Sequence, residues 1–248
     1  SALLFGMINA GVALWSAHLF RDRIGAPGRL IVTSIVVLVL LAGGMAFADR
    51  IYGIAESNLY ADDVVFSRNT PFQRIVLTRW KDDLRLFLNS HLQFSSKDEY
   101  RYHEALVHPG LSALPGARRV LVLGGGDGLA VREILRYPGV EQVHLVDLDP
   151  EMTKLFSTHS LLTPLNGASL TNPKVKITNA DAFVWLESNT EQYDFIAIDF
   201  PDPSNFSVGK LYTSAFYRLM KRHLSQGGLA VIQSTSPLFA RQSFWCIV

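Results

Sequence analysis

The spacing of hydrophobic positions changes character twice along the 248-residue chain. Residues 1–20 and 30–48 are two nearly unbroken apolar runs, each close to the ~20 residues that cross a bilayer as a helix. Between them, Arg-Asp-Arg-Ile-Gly-Ala-Pro-Gly-Arg is a short polar turn with helix breakers, so the pattern predicts a transmembrane helical hairpin over 1–48. A mixed connector is expected over 49–69. The period then falls to two, and 74–78, 84–88 and 91–94 read as a small antiparallel β-meander within 70–96, with Lys81-Asp82-Asp83 as one turn. Residues 98–107 return to a helical period, with Ser95 or Ser96 available as cap. After Pro115-Gly116, strands expected at 119–123, 142–146, 174–178, 195–199 and 229–233 alternate with helices, among them 129–137 and 211–223, the last ahead of a Gly227-Gly228 stop. That alternation predicts an α/β domain over 97–248 on a doubly wound parallel sheet, which takes ligands at the carboxyl ends of its strands.

Charge sharpens the boundary. The first 48 residues hold four charged side chains, Arg21, Asp22, Arg23 and Arg29, whereas the remainder has the charge density of an ordinary soluble domain. Two spans without a basic start or a small-residue cleavage site fit a signal peptide poorly. The chain opens on Ser1 in apolar sequence, which suggests a piece of a longer membrane protein. One cysteine, Cys246, excludes an internal disulfide and a cysteine-cluster metal site, and no metal is expected. A net charge of +1 gives no support for nucleic-acid binding.

The candidate chemistry begins at Val120–Gly128, Val-Leu-Val-Leu-Gly-Gly-Gly-Asp-Gly. A buried-strand pattern runs into Gly124, Gly125 and Gly126, whose backbone can approach a nucleotide-like ligand closely. Phosphate-binding turns exclude acids because the following helix N-terminus and its amides attract anions. Asp127 would repel a pyrophosphate and suits a cationic ligand instead. Asp147 and Asp149 follow the next strand about twenty residues later, where one carboxylate commonly accepts both ribose hydroxyls while the other braces the loop. Asp181, followed by Ala182, ends the third strand, placed either to accept an adenine amino group or to cap a helix. Asp199 and Asp202 flank a proline-stiffened loop in Ile-Asp-Phe-Pro-Asp-Pro, poised for an amine or simply starting a turn.

These residues resemble the spermidine synthase family, the polyamine aminopropyltransferases, in its membrane-attached bacterial branch. In order, the matches are Pro-Phe-Gln-Arg-Ile around Gln73, His-Leu-Gln-Phe around Gln93, Asp-Glu-Tyr-Arg-Tyr-His-Glu from Asp98 to Glu104, the glycine turn, Val-Asp-Leu-Asp, Ala-Asp-Ala, Asp-Phe-Pro-Asp-Pro and Lys210-Leu211-Tyr212. The resemblance implies a Rossmann-like, methyltransferase-type sheet and aminopropyl transfer from decarboxylated S-adenosylmethionine to a polyamine such as putrescine, giving spermidine and methylthioadenosine. It implies that Asp127 holds the aminopropyl ammonium, Asp147 the ribose and Asp181 with Ala182 the adenine, while Gln73 and the three glycines line the cofactor. Gln93, Tyr102, His103, Asp127 and Asp202 line the polyamine, and Asp199 is the catalytic acid-base. It also implies a homo-oligomer by family analogy.

Asp147 stands where the family usually has Glu, and Phe200-Pro201 where small polar residues are usual. The sequence ends after a fifth parallel strand, so the family's closing antiparallel pair is expected to be missing and this chain alone to lack full activity. The hairpin predicts a multi-pass protein of the inner cell membrane, its catalytic domain cytoplasmic. Two alternatives stand beside this: a methyltransferase using S-adenosylmethionine, whose carboxylate Asp127 would repel, and a catalytically silent membrane protein that binds polyamine or nucleoside.

Overall fold

The computed structural model describes residues 2–23, 25–47, 60–203, 206–234, 236–238 and 241–247. They fall into two compact units, Ser1–Val64 and Val65–Val248. In the first, α1 (Ala2–Leu19) packs on α2 (Pro27–Ala46), whose first turn is set by Pro27. The contact is close enough that a Cβ on Gly6 would lie 3.2 Å from a Leu41 methyl, and Ala10 and Ala17 are buried. No residue of α2 is buried, and Phe5, Trp15, Val39 and Leu40 are largely exposed. Most of the expected connector, 49–59, lies outside the described residues.

A four-stranded sheet follows the helices in the chain, in the order β1 (Asp63–Asn69), β2 (Arg74–Trp80), β3 (Asp83–Leu88), β4 (His91–Ser95). β2, β3 and β4 pair antiparallel. Residues 63–69, expected in the connector, are therefore a strand. Asn89 and Ser90 both take positive φ between β3 and β4, the demand of a two-residue hairpin turn. Ser95 and Ser96 do not cap the following helix. Both hydroxyls donate to the buried Asp83 carboxylate, at 2.7 and 3.1 Å. Asp98 stands at the N-cap of α3 (Glu99–Ser112), which runs five residues beyond the expected end at 107, past Pro109.

The second sheet has the order β7-β6-β5-β8-β9, with all pairs parallel: β5 (Arg119–Gly124), β6 (Gln142–Asp147), β7 (Val175–Asn179), β8 (Tyr193–Asp199) and β9 (Leu224–Ile232). Alternate residues of β5 enter opposite layers, Val120 and Val122 with α3, α4 (Leu129–Ile134) and α5 (Pro150–Thr158), and Leu121 and Leu123 with α6 (Ala182–Ser188) and α8 (Ser214–Arg222). All four are fully buried, each contributing about 1.5–3 kcal/mol over an exposed position. The meander's Ile75, Leu77, Leu86 and Phe94 belong to the same core cluster as α3 and α4.

Other boundaries also differ from expectation, and the helix expected over 129–137 ends at Ile134. The helix expected over 211–223 is α7 (Phe206–Gly209), a 3-10 turn at Lys210–Tyr212, then α8, whose N-terminus the Thr213 side chain caps by accepting from Phe216 N at 3.3 Å. The Gly227-Gly228 pair lies inside β9 rather than before it, with Gly227 at φ +80° where the β8 register shifts. A last helix, α9, spans Arg241–Ile247.

Candidate active site

The strand order reverses between β5 and β8: β6 and β7 lie to one side of β5, β8 and β9 to the other. Such a switch point leaves a crevice at the carboxyl ends of the two strands. Gly124 and Asp199 are register partners there. Gly124 and Gly125 take φ of +81° and +66°, and a Cβ on Gly124 would sit 2.2 Å from the Asp199 carbonyl. Only glycine lets β5 turn this tightly against β8.

The turn aims Asp127 inward. Its Oδ1 accepts from Leu129 N at 2.9 Å, and Oδ2 has no hydrogen-bond partner among the described residues. Asp127 is 9% exposed, and this burial pushes its carboxyl up to about 6; nearby His103 opposes the shift and Asp199 adds to it. Asp147 accepts from Gly126 N at 3.0 Å and Asp149 N at 2.9 Å, yet burial also pushes its carboxyl up to about 6. A Cβ on Gly126 would fall 2.7 Å from that carboxylate.

Asp149 is the bracing member of its pair. It caps α5 by accepting from Glu151 N at 3.0 Å, and its Oδ2 takes Thr70 Oγ1 at 2.8 Å and Gln73 Nε2 at 3.0 Å. Gln73 is thereby fixed beside the β6 acids. Asp181 is a helix cap as well as a strand end: Oδ1 accepts from Phe183 N and Val184 N, and Oδ2 pairs with Lys210. Burial pushes its carboxyl up, but the Lys210 ammonium and the helix amides outweigh it and hold the group below its usual value. Ala182, the first residue of α6, is buried beside it.

On α3, Tyr102 donates its hydroxyl to Asp199 Oδ1. Burial, then the Asp199 charge, push the phenol far up, so it stays a donor. His103 is 3% exposed, and its Nδ1 lies 2.9 Å from Glu99 O and 2.8 Å from Glu99 Oε2. Burial works to lower its pKa, but the Glu99 bond and the charges of Asp127 and Asp199 raise it overall. Asp202 is exposed, with Gln233 Nε2 donating to it at 3.4 Å, and Tyr212 holds the adjoining Pro201 carbonyl at 3.1 Å. Gln93 is exposed on β4 and donates to the His91 carbonyl at 3.3 Å. The structure thus gathers Asp127, Asp147, Asp199, Tyr102 and His103, with Gln73 alongside through Asp149. Among the described contacts, nothing ties Gln93 to them.

Sequence reasoning missed Glu99, Arg132 and Asn166. Arg132 grips Glu99 with two bonds, Nη1 to Oε1 at 2.8 Å and Nη2 to Oε2 at 3.0 Å. Asn166, fully buried, donates to the Asp127 carbonyl at 2.8 Å. Both act across long sequence separations, and no local period signals them.

Comparison with known proteins finds relatives of this chain. Residues 99–247 match the family model of the Spermine/spermidine synthase domain. The chain is 55% identical over 247 residues to a polyamine aminopropyltransferase of Leptospira interrogans, covering 100% of this chain and 50% of that protein. It is 51% identical over 251 residues to polyamine aminopropyltransferase 2 of Ralstonia nicotianae, covering 100% of this chain and 49% of the other. It spans about half the length of the curated relatives it matches. A solved spermidine synthase in complex with the transition-state analogue AdoDATO superposes with a TM-score of 0.70 at 25% identity, over 75% of this chain and 62% of that one.

Proposed function

Because the chain belongs to the spermine/spermidine synthase family, we propose that the crevice between β5 and β8 transfers an aminopropyl group from decarboxylated S-adenosylmethionine to an amine of a polyamine such as putrescine. One observation carries this reading: Asp127, a buried carboxylate with a free oxygen, stands on a glycine turn where anion-binding sites keep none. A ligand whose carboxylate has been removed, leaving an ammonium tail, matches that oxygen in charge. Ordinary S-adenosylmethionine would bring a carboxylate against it.

Asp147 would take the ribose, since each of its oxygens accepts one backbone N–H and keeps a lone pair. Asp181 and Ala182 would meet the adenine, Asp181 with the acceptor capacity left over from Lys210 and the helix amides. Gln73 and the three glycines would line the same ligand. Tyr102, His103 and Asp202, with Gln93 beyond them, would line the polyamine. When bound, the sulfonium supplies an activated carbon: an amine nitrogen attacks it, the carbon–sulfur electron pair passes to sulfur, and methylthioadenosine leaves.

The attacking nitrogen must lose a proton. An ammonium has no lone pair, and moving its proton (pKa ~10) fully onto a carboxylate of ~4 is uphill by roughly 8 kcal/mol, so the proton must leave before or as the carbon–nitrogen bond forms and pass on to water rather than stay on the acid. With Tyr102 on Asp199 Oδ1, Asp199 Oδ2 is the atom that would orient the amine and accept its proton. No metal has a part in this scheme. Supplying decarboxylated cofactor with putrescine, spermidine or cadaverine and detecting methylthioadenosine tests it. Product formed only with the carboxylated cofactor would make it a methyltransferase, and no product from the full-length protein would make it a silent binder.

The hairpin α1–α2 would sit in the inner membrane as part of a multi-pass anchor. An 18-residue stretch of α2 has mean hydropathy 2.2 and is not buried within the protein, which supports this reading for α2; at 1.5 Å per residue the helix's 20 residues reach about 30 Å. Arg21, Arg23 and Arg29 in the loop between the helices favour a cytoplasmic loop and so the opposite face for the catalytic domain, but a cofactor drawn from the cytosol would require that domain on the cytoplasmic side. A reporter active only in the cytosol, fused after His223, would stay silent if that orientation were wrong.

A further inference from the structure

We propose that Arg132 is a positioning residue of the site, a hub that sets both groups facing the amine, His103 through Glu99 and Asp127 through the segment from Leu165 to Ser169. Its guanidinium bonds only protein groups, and this role rests on the aminopropyl-transfer reading only for the identity of the ligand.

Arg132 sits on α4, directly after the glycine turn, and four hydrogen bonds use its guanidinium. Nη1 and Nη2 grip both oxygens of Glu99, Nη1 also donates to Leu165 O at 2.6 Å, and Nε donates to Glu133 Oε1 at 2.8 Å. Glu99 and Glu133 are 8% and 2% exposed. A carboxylate so deep stays ionised only against a cation, and a planar fork fixes its orientation as well as its charge. Glu99 then fixes the His103 ring at Nδ1, leaving Nε2 with no protein partner among the described residues.

The second branch runs through backbone. The Leu165 carbonyl held by Arg132 precedes Asn166, whose Nδ2 bonds the carbonyls of Asp127 and Phe156 at 2.8 and 3.1 Å. Three residues on, Ser169 Oγ donates to Gly128 O at 2.7 Å, and Leu170 fills the space a Cβ on Gly128 would need. The turn bearing Asp127 is thus clamped from behind by a segment that Arg132 anchors. His103 faces Glu99 on its own helix, Asp127 from the turn after β5 and Asp199 from the end of β8, with Tyr102 edge-on to its ring at 4.9 Å. Loosening Arg132 would disturb that balance at two points together.

Arg132→Lys keeps the charge but loses the fork, and Glu99→Gln keeps the shape but loses the charge. In the full chain, both variants should raise the KM for a diamine and lower kcat, each by about 10-fold or more, as misplaced supporting groups do. Methylthioadenosine, which lacks the ammonium, should bind within about two-fold of wild type by calorimetry, because the affected atoms lie on the amine side. By NMR of the histidine rings, the His103 titration midpoint should fall in Glu99→Gln, where burial is left less opposed, and fall less in Arg132→Lys. Thermal unfolding separates simple destabilisation. If either variant loses melting temperature and both ligands equally while the His103 midpoint stays put, Arg132 is a structural brace and the proposal is overturned. If wild type forms no methylthioadenosine but the midpoint moves as stated, the aminopropyl-transfer reading fails and the positioning role stands.

Discussion

Replacing Asp127 by Asn should stabilise the empty protein at pH 8 while removing its affinity for an ammonium ligand. Burial holds the folded-state carboxyl at about 6 against 3.8 for a free side chain. Between those values the native state binds more protons than the unfolded one, so stability falls as pH rises through this window. Below pH ~4 the group is neutral in both states and costs nothing; above about 6 the full penalty stands, roughly 3 kcal/mol for that gap. Asn keeps an oxygen for Leu129 N and carries no charge. His103 loses an anionic neighbour in the exchange, which makes 3 kcal/mol an upper bound. At about 2–4 °C per kcal/mol for a unit of this size, melting should rise by several degrees at pH 8, with the gain shrinking to nothing near pH 4. The same variant should bind decarboxylated cofactor about 10–100-fold more weakly, the worth of a charged hydrogen bond, with methylthioadenosine nearly unaffected. Thermal unfolding from pH 4 to 8 and calorimetry with the two ligands read both effects. A gain independent of pH, or equal losses for the two ligands, would refute the reasoning and return Asp127 to a turn-capping role.

Asp199→Asn should lower kcat by about 10²–10⁴ at saturating polyamine, the range for a lost general base, and near-normal turnover there would exclude it from proton transfer. Affinity for the decarboxylated cofactor should fall as pH drops below about 6, because Asp127 and Asp147 take up protons there; a flat affinity profile from pH 5 to 8, followed by calorimetry, would show that neither meets the ligand. Gly126→Ala would place a Cβ 2.7 Å from the Asp147 carboxylate, so methylthioadenosine should bind at least about 10-fold more weakly, and unchanged binding would remove Asp147 from the ribose site.

What could be read from the sequence and what could not divide by the range of the forces involved. The run from Val120 into the glycine turn was legible because a strand buried on both faces must be apolar throughout and a positive-φ turn must carry glycine. The acids at the strand ends were legible for a similar reason, since the parallel sheet puts every strand's carboxyl end on one edge. β1 was not, because most of its residues are exposed and its apolar alternation is weak. Gly227-Gly228 read as a stop, but a register shift in β9 uses the same positive φ that a turn would. Arg132 and Asn166 act on Glu99 and Asp127 across separations of 33 and 39 residues, and no periodicity reports contacts of that range.

The acids themselves carry the strongest argument for a cationic occupant, because residues of one type divide into two groups. Asp83 accepts from Ser95, Ser96 and Arg85, Asp194 from the backbone of Arg118 and Arg119, and Asp181 from Lys210 and its own helix. In each, burial pushes the carboxyl up and the bonds overcome it, so all three are held below their usual values. These acids are committed to the fold. Asp127 is buried and Asp147 half-buried, but their partners are too few to offset desolvation, and both are raised to about 6. At neutral pH each still ionises, at a cost near 3 kcal/mol that the fold has means to avoid, as the first group shows. Asp127 keeps an oxygen free and faces Asp199 across the switch point, and a positive ligand entering there would recover what desolvation took. A fold that needed these residues only as caps would have supplied their partners itself.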